Sequence, residues 1–136
     1  METKLKEKLD KLLEKTKRKL QAAERLYEDG FYDDSISRAY YAMYQVAIAL
    51  LMTKDLTPKT HSGVLTMLSL HFVKTGIVKK KYFDMFAHAK EARENGDYEA
   101  FYMPTKEEAR LVLRNAKQFI DEIERILKKN MEGDVE

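Results

Sequence analysis

Positions Leu5, Leu9, Leu12, Thr16, Leu20, Ala23 and Tyr27 return every three or four residues, and this spacing predicts a long first helix that buries one stripe. The same rhythm runs through Ile36, Tyr40, Met43, Ala47 and Leu50, and again through Ala109, Leu113, Ala116, Ile120, Ile123 and Leu127. Five glycines and two prolines punctuate these segments, and no run of alternating β-branched residues competes with them. The expected fold is all-α: an antiparallel up-and-down four-helix bundle with an additional short helix.

Local signals set the expected boundaries. Gly30 supplies a left-handed position to close the first helix. Asp33, Asp34 and Ser35 can accept hydrogen bonds from the free N–H groups of the second, which should reach Met52 or Thr53. The stretch DLTPKTHSG reads as a turn or helix entry in which Pro58 restricts Thr57. A shorter third helix then carries Val64, Leu65, Leu68 and Phe72 and ends at Gly76. A fourth helix is expected from Lys79 to Glu94 with Phe83, Phe86 and Ala89 inward, after which Gly96 turns the chain. Thr105 and Glu108 match the capping-box pattern and open the last helix. One domain over residues 1–130 is expected, with 131–136 as a frayed tail.

The chain has 136 residues, 44% of them hydrophobic, enough for a single core. Its 25 basic side chains nearly balance 23 acidic ones, so a net charge of +2 gives no global field for nucleic acid or an anionic membrane. Any anion site must be local. Without cysteine there is no disulfide framework, thiolate ligand or cysteine nucleophile, which fits a cytoplasmic location. The N-terminal segment is too charged for a secretory signal, and the apolar run 39–52 is shorter than the ~20 residues a membrane span requires. The three histidines show no metal-ligand spacing, and no phosphate loop, dinucleotide fingerprint or nucleophile elbow occurs. No metal, cofactor or membrane partner is expected.

Three places could carry chemistry. Arg38, Tyr41 and Gln45 form a polar stripe beside the apolar face of the second helix, suited either to an interhelical ion pair or to gripping a phosphate. Arg93 lies one turn beyond Ala89, near the buried side, where it can serve the helix C-terminus or clamp an anion. His61, in KTHSG, sits at a helix entry where an imidazole could donate to phosphate or move a proton.

Taken in order, SISRAYYAMYQVAIALL, PKTHSGVLTMLSLHFVKTG and ARENGDYEAFY before a long final helix resemble the HEPN family of small helical proteins, from about Leu20 to about Leu127. The resemblance implies a homodimer with a polar cleft and a minimal nucleotidyltransferase as partner, in pairs that behave as toxin and antitoxin. The family's ribonucleases carry an arginine, four to six variable residues and a histidine. Arg93 matches the arginine, but after four intervening residues Tyr98 stands where the histidine belongs. A phenol with an ordinary pKa of ~10 does not shuttle protons at neutrality as imidazole does. The tyrosine that accepts transferred nucleotides in related pairs cannot be carried over to its own position, which is Ala100; Tyr98 and Tyr102 are the nearby phenols that could serve instead. The expected function is therefore binding of a nucleotide or RNA phosphate, with a metal-independent ribonuclease whose catalytic residues are Arg93 with His61 or Tyr98, or a non-catalytic adaptor, as alternatives. Arg38 and Arg93 would hold phosphate, Tyr41 and Tyr98 would stack or hydrogen-bond, Asp97 would orient an arginine, and His61 would carry the proton.

Overall fold

A computed structural model describes residues 3–133. Its helices are α1 (Thr3–Glu28), α2 (Tyr32–Met52), α3 (His61–Leu68), α4 (Lys80–Tyr98) and α5 (Lys106–Gly133), with a π-helical turn, Ser69–Val73, continuing α3. The four long helices form the antiparallel up-and-down bundle and α3 is the additional short one. Residues 134–136 of the expected tail lie outside the described residues.

Helix α2 is the hub, packed against α1, α3, α4 and α5. Its composition explains this. Ile36, Ala39, Tyr40, Ala42, Met43, Val46, Ala47, Ala49, Leu50 and Leu51 are all buried, so the apolar surface wraps most of the helix instead of forming one stripe. The alanines let neighbouring helices approach closely, and Tyr40, Phe86 and Phe119 fill the space between α2, α4 and α5, with the two phenylalanine rings stacked at 5.1 Å. From α5, Ala109, Val112, Ala116, Phe119, Ile120, Ile123, Ile126 and Leu127 complete the core.

Three boundaries depart from expectation, each for a local reason. Ser35 does not cap α2: it is fully buried inside the first turn and its hydroxyl donates to the Ala23 carbonyl at 2.8 Å, tying α2 to α1. Asp33 and Asp34 instead place negative charge in that first turn, where the helix dipole favours it. Helix α4 does not end before Gly96 but runs through it to Tyr98, braced by the i,i+4 pairs Lys90–Glu94 and Arg93–Asp97 and by the Glu99 N–H donating to the Asn95 carbonyl. The third helix widens to π-helical geometry over Ser69–Val73 before Gly76, whose φ of 81° makes the turn. Gly30, at φ 86°, closes α1 as the sequence suggests. The Glu108 N–H donates to the Thr105 hydroxyl at 3.1 Å, as the capping pattern predicts.

Candidate functional site

Where α2, the start of α3 and the last turns of α4 meet, three tyrosines, a histidine and an arginine converge. Tyr40, Tyr41 and Tyr44 lie on adjoining positions of α2, so their rings form one aromatic wall: Tyr40 is fully buried and the other two are half-buried. Onto this wall α3 delivers His61 and α4 delivers Arg93.

The α3 entry holds His61 in place. Thr60 adopts an extended backbone and its hydroxyl accepts from the Gly63 N–H at 2.9 Å, which starts the helix at His61. Gly63 suits this tight entry, since a Cβ there would stand 2.9 Å from the Thr60 hydroxyl and 3.2 Å from Pro58 Cβ. The imidazole stacks on Tyr44 at 4.4 Å and on Tyr40 at 5.6 Å, and meets Tyr41 edge-on at 5.8 Å.

Tyr40 fixes the ring chemically as well. Its hydroxyl lies 2.7 Å from His61 Nδ1. Burial pushes this phenol far above its usual pKa, so it keeps its proton at all ordinary pH values. A buried hydroxyl whose hydrogen-bond partner is an imidazole nitrogen is best satisfied by donating to it. With Tyr40 assigned as the donor, the His61 proton is placed on Nε2. Burial, and then the charges of Arg93 and Lys90, lower the pKa of His61, with Glu94 opposing them, so the ring is neutral at pH 7.

Arg93 approaches the same wall from α4. Its guanidinium carbon lies 4.9 Å from the centre of the Tyr41 ring and 5.5 Å from that of Tyr40, and one terminal nitrogen pairs with Asp97 at 3.1 Å. Contacts of this kind contribute ~0.5–2 kcal/mol each. The Arg93 Nε is buried and has no hydrogen-bond partner among the described residues. The site thus packs a neutral imidazole and a guanidinium on the same tyrosine rings.

Of the residues singled out in the sequence, the structure brings Tyr41, His61, Arg93 and Asp97 together and leaves Arg38, Gln45 and Tyr98 elsewhere. Tyr98, at the end of α4, is 78% exposed and is followed by Phe101 and Met103, also largely in solvent. Arg38 is exposed and lines a groove between α1 and α2 with Lys15, Arg18, Lys19, Ala22 and Gln45. The sequence reading missed Tyr40 and Tyr44 as partners of His61. Their i,i+4 spacing was visible, but Tyr40 also fits the core stripe and its hydroxyl gives no sign of its partner. Among the described residues no cluster of side chains could hold a metal ion, and no helix is long and apolar enough to cross a membrane.

A family model described as HEPN domain matches residues 9–126, which includes every residue of this cluster. The chain belongs to the HEPN family. It is similar to two proteins of Methanocaldococcus jannaschii: "Putative toxin MJ0142", 39% identical over 127 residues covering 93% of this chain and 86% of the relative, and "Putative toxin MJ0605", 38% identical over 124 residues covering 91% and 92%. A Thermotoga maritima protein named only as a UPF0332 protein is 33% identical over 108 residues, covering 79% of this chain and 82% of the relative. Within this HEPN chain the imidazole beside the α4 arginine comes from α3, and the side chain at position 98 is turned to solvent.

Proposed function

We propose that this HEPN protein is the toxin-like member of a two-component pair and that its working site binds a nucleotide or RNA phosphate between Arg93 and His61. The names of the two Methanocaldococcus relatives support the first part. The second rests on one observation: Arg93 and His61, from different helices, pack on the same two tyrosines, and the Nε of Arg93 is buried without a partner. A buried donor left unpaired costs stability, so it is more naturally the property of a binding site than of a core. Asp97 pairs with one terminal nitrogen of the guanidinium, and the other terminal nitrogen is the donor that an anion would use. A minimal nucleotidyltransferase is the partner that the family resemblance implies, and a second copy of the chain would complete the assembly.

The hydrogen bond from Tyr40 ranks binding above catalysis. With its proton on Nε2, His61 can donate to a phosphate oxygen, but it has no free lone pair with which to take a proton from a 2′-hydroxyl. Titration with a 5′-mononucleotide, followed by imidazole NMR, tests the reading. The His61 nitrogen signals should move with saturation, and Arg93→Ala should abolish the effect. Signals that stay fixed at millimolar nucleotide would refute it, and RNA cleavage without metal, lost in Arg93→Ala, would restore the ribonuclease reading.

A further inference from the structure

Beside the tyrosine wall, on its α1 side, lies the groove that contains Arg38. It has a volume of about 440 Å³, within the range of small-ligand sites, and is lined by Lys15, Arg18, Lys19, Ala22, Arg38 and Gln45. Four of these six residues are cations and none is a carboxylate. Lys15, Arg18, Lys19 and Ala22 share one face of α1, so like charges stand three and four residues apart, an arrangement that weakens a helix. Among the described residues none of the four cations forms an ion pair. Helix stability and interhelical pairing therefore leave this concentration of charge unexplained.

The groove is joined to the α4 arginine through one side chain. Tyr41 stands in the same stripe of α2 as Arg38 and Gln45, and its half-buried ring has Lys19 Nζ 6.0 Å from its centre and the Arg93 guanidinium carbon at 4.9 Å. Cations from α1 and α4 thus share one aromatic ring. Alternation of cations with an aromatic platform suits a strand that carries a phosphate at every step and a flat base between phosphates. An acidic peptide would use the charges but not the ring.

We infer that the α1–α2 groove is a second phosphate site, continuous over Tyr41 with the Arg93 site, so that the ligand is a single strand with at least two phosphates rather than a mononucleotide. This rests on the reading of Arg93 and His61 given above and extends it. Arg38 and Arg18 hold the second phosphate, Gln45 hydrogen-bonds to sugar or base, and Tyr41 carries the base between them.

The test compares a 5′-mononucleotide with a pentanucleotide RNA on the full chain and on a Lys15→Ala, Arg18→Ala, Arg38→Ala triple variant. A cooperative circular dichroism melt with a midpoint at or above the native one confirms that the variant keeps the fold. The pentanucleotide should bind the native chain at least tenfold more tightly than the mononucleotide. The triple variant should lose roughly that factor for the pentanucleotide alone, and the salt dependence of its log K should become shallower by about 0.7 for each phosphate that is no longer neutralised. Equal affinity for the two ligands, or pentanucleotide binding untouched by the triple variant, overturns the inference. So does a pentaglutamate peptide that binds as tightly as the RNA through the same cations. Pentanucleotide binding that depends on the groove while the mononucleotide leaves His61 unmoved would support the groove and reject the Arg93 reading, which keeps the two separable.

Discussion

The buried hydroxyl of Tyr40 lies 2.7 Å from Nδ1 of His61, a hydrogen bond that joins the core of α2 to the first residue of α3. One residue therefore serves packing and chemistry at once. Tyr40→Phe keeps the ring stacked on Phe86 but leaves the imidazole nitrogen without its donor. The expected cost is about 1 kcal/mol in chemical denaturation, with both His61 tautomers appearing in the imidazole nitrogen spectrum. Tyr40→Ala removes the aromatic ring as well and should cost roughly 3–5 kcal/mol. Identical spectra for native and Tyr40→Phe protein would show that the hydroxyl does not set the tautomer.

Arg93 lowers the pKa of His61 through its charge, after the larger effect of burial. Replacing it with alanine should therefore raise the His61 pKa, read from a proton NMR titration of the imidazole. Arg93→Lys retains a positive charge and should keep more of the depression. It should not restore anion affinity, because an ammonium lacks the planar fork that can pair with Asp97 and still offer an N–H to phosphate. A tenfold or greater loss of nucleotide affinity is expected for both variants.

The same depression makes stability fall in mild acid. The folded state holds His61 below its usual 6.5, so between that value and the folded pKa the unfolded chain binds the proton more readily. The contribution is fully present above 6.5 and is lost as pH falls through the window below it. His61→Gln should flatten the denaturation midpoint against pH across this range, above the region where carboxylates titrate. Phosphate binding should shift the window upward, since an anion beside the imidazole favours its charged form. A native midpoint that stays level between about pH 7 and 5 would contradict both expectations.

Tyr102 provides a control outside the His61–Arg93 cluster. Its hydroxyl donates to the carboxylate of Glu108, the residue whose N–H caps onto Thr105, and this bond pushes its pKa up to about 12, with burial adding to the effect. Because the folded pKa is the raised one, the associated stability is present below 10 and is lost as pH rises through the folded value. Ultraviolet titration of Glu108→Gln should return one tyrosine toward the usual range. The response of His61 to nucleotide should be unchanged.

Much of this architecture follows from spacing that can be read off the chain. The stripes of α2 and α5 are buried where their periodicity places them, because a three- and four-residue repeat of apolar groups has one stable use in water. Gly30 is legible for a similar reason, as glycine adopts its φ of 86° without steric cost. The site is less legible. Arg93, Asp97 and Tyr41 can be singled out by type and position, yet the bond between Tyr40 and His61 joins residues on two helices, and no local pattern encodes it. Ser35 shows the same limit: its preference for a helix start is real, but a buried acceptor on α1, the Ala23 carbonyl, outcompetes the cap.

Gly96 is the clearest case of tertiary structure overriding a local signal, and it yields the sharpest stability test. A glycine near a helix end ordinarily marks a turn, and a glycine inside a helix costs ~1 kcal/mol relative to alanine. Here α4 passes through Gly96 to Tyr98 with no left-handed backbone there, and Asp97 reaches Arg93 only because that last turn is helical. A Cβ at position 96 would meet no atom within 4 Å. Gly96→Ala should therefore stabilise the protein by up to ~1 kcal/mol, through both the helix and the reduced freedom of the unfolded chain. It should also hold Asp97 more firmly on the guanidinium, so nucleotide affinity should stay level or rise. Destabilisation by a comparable amount would mean that residue 96 uses a conformation closed to alanine, and that α4 stops short of the aspartate that steadies Arg93.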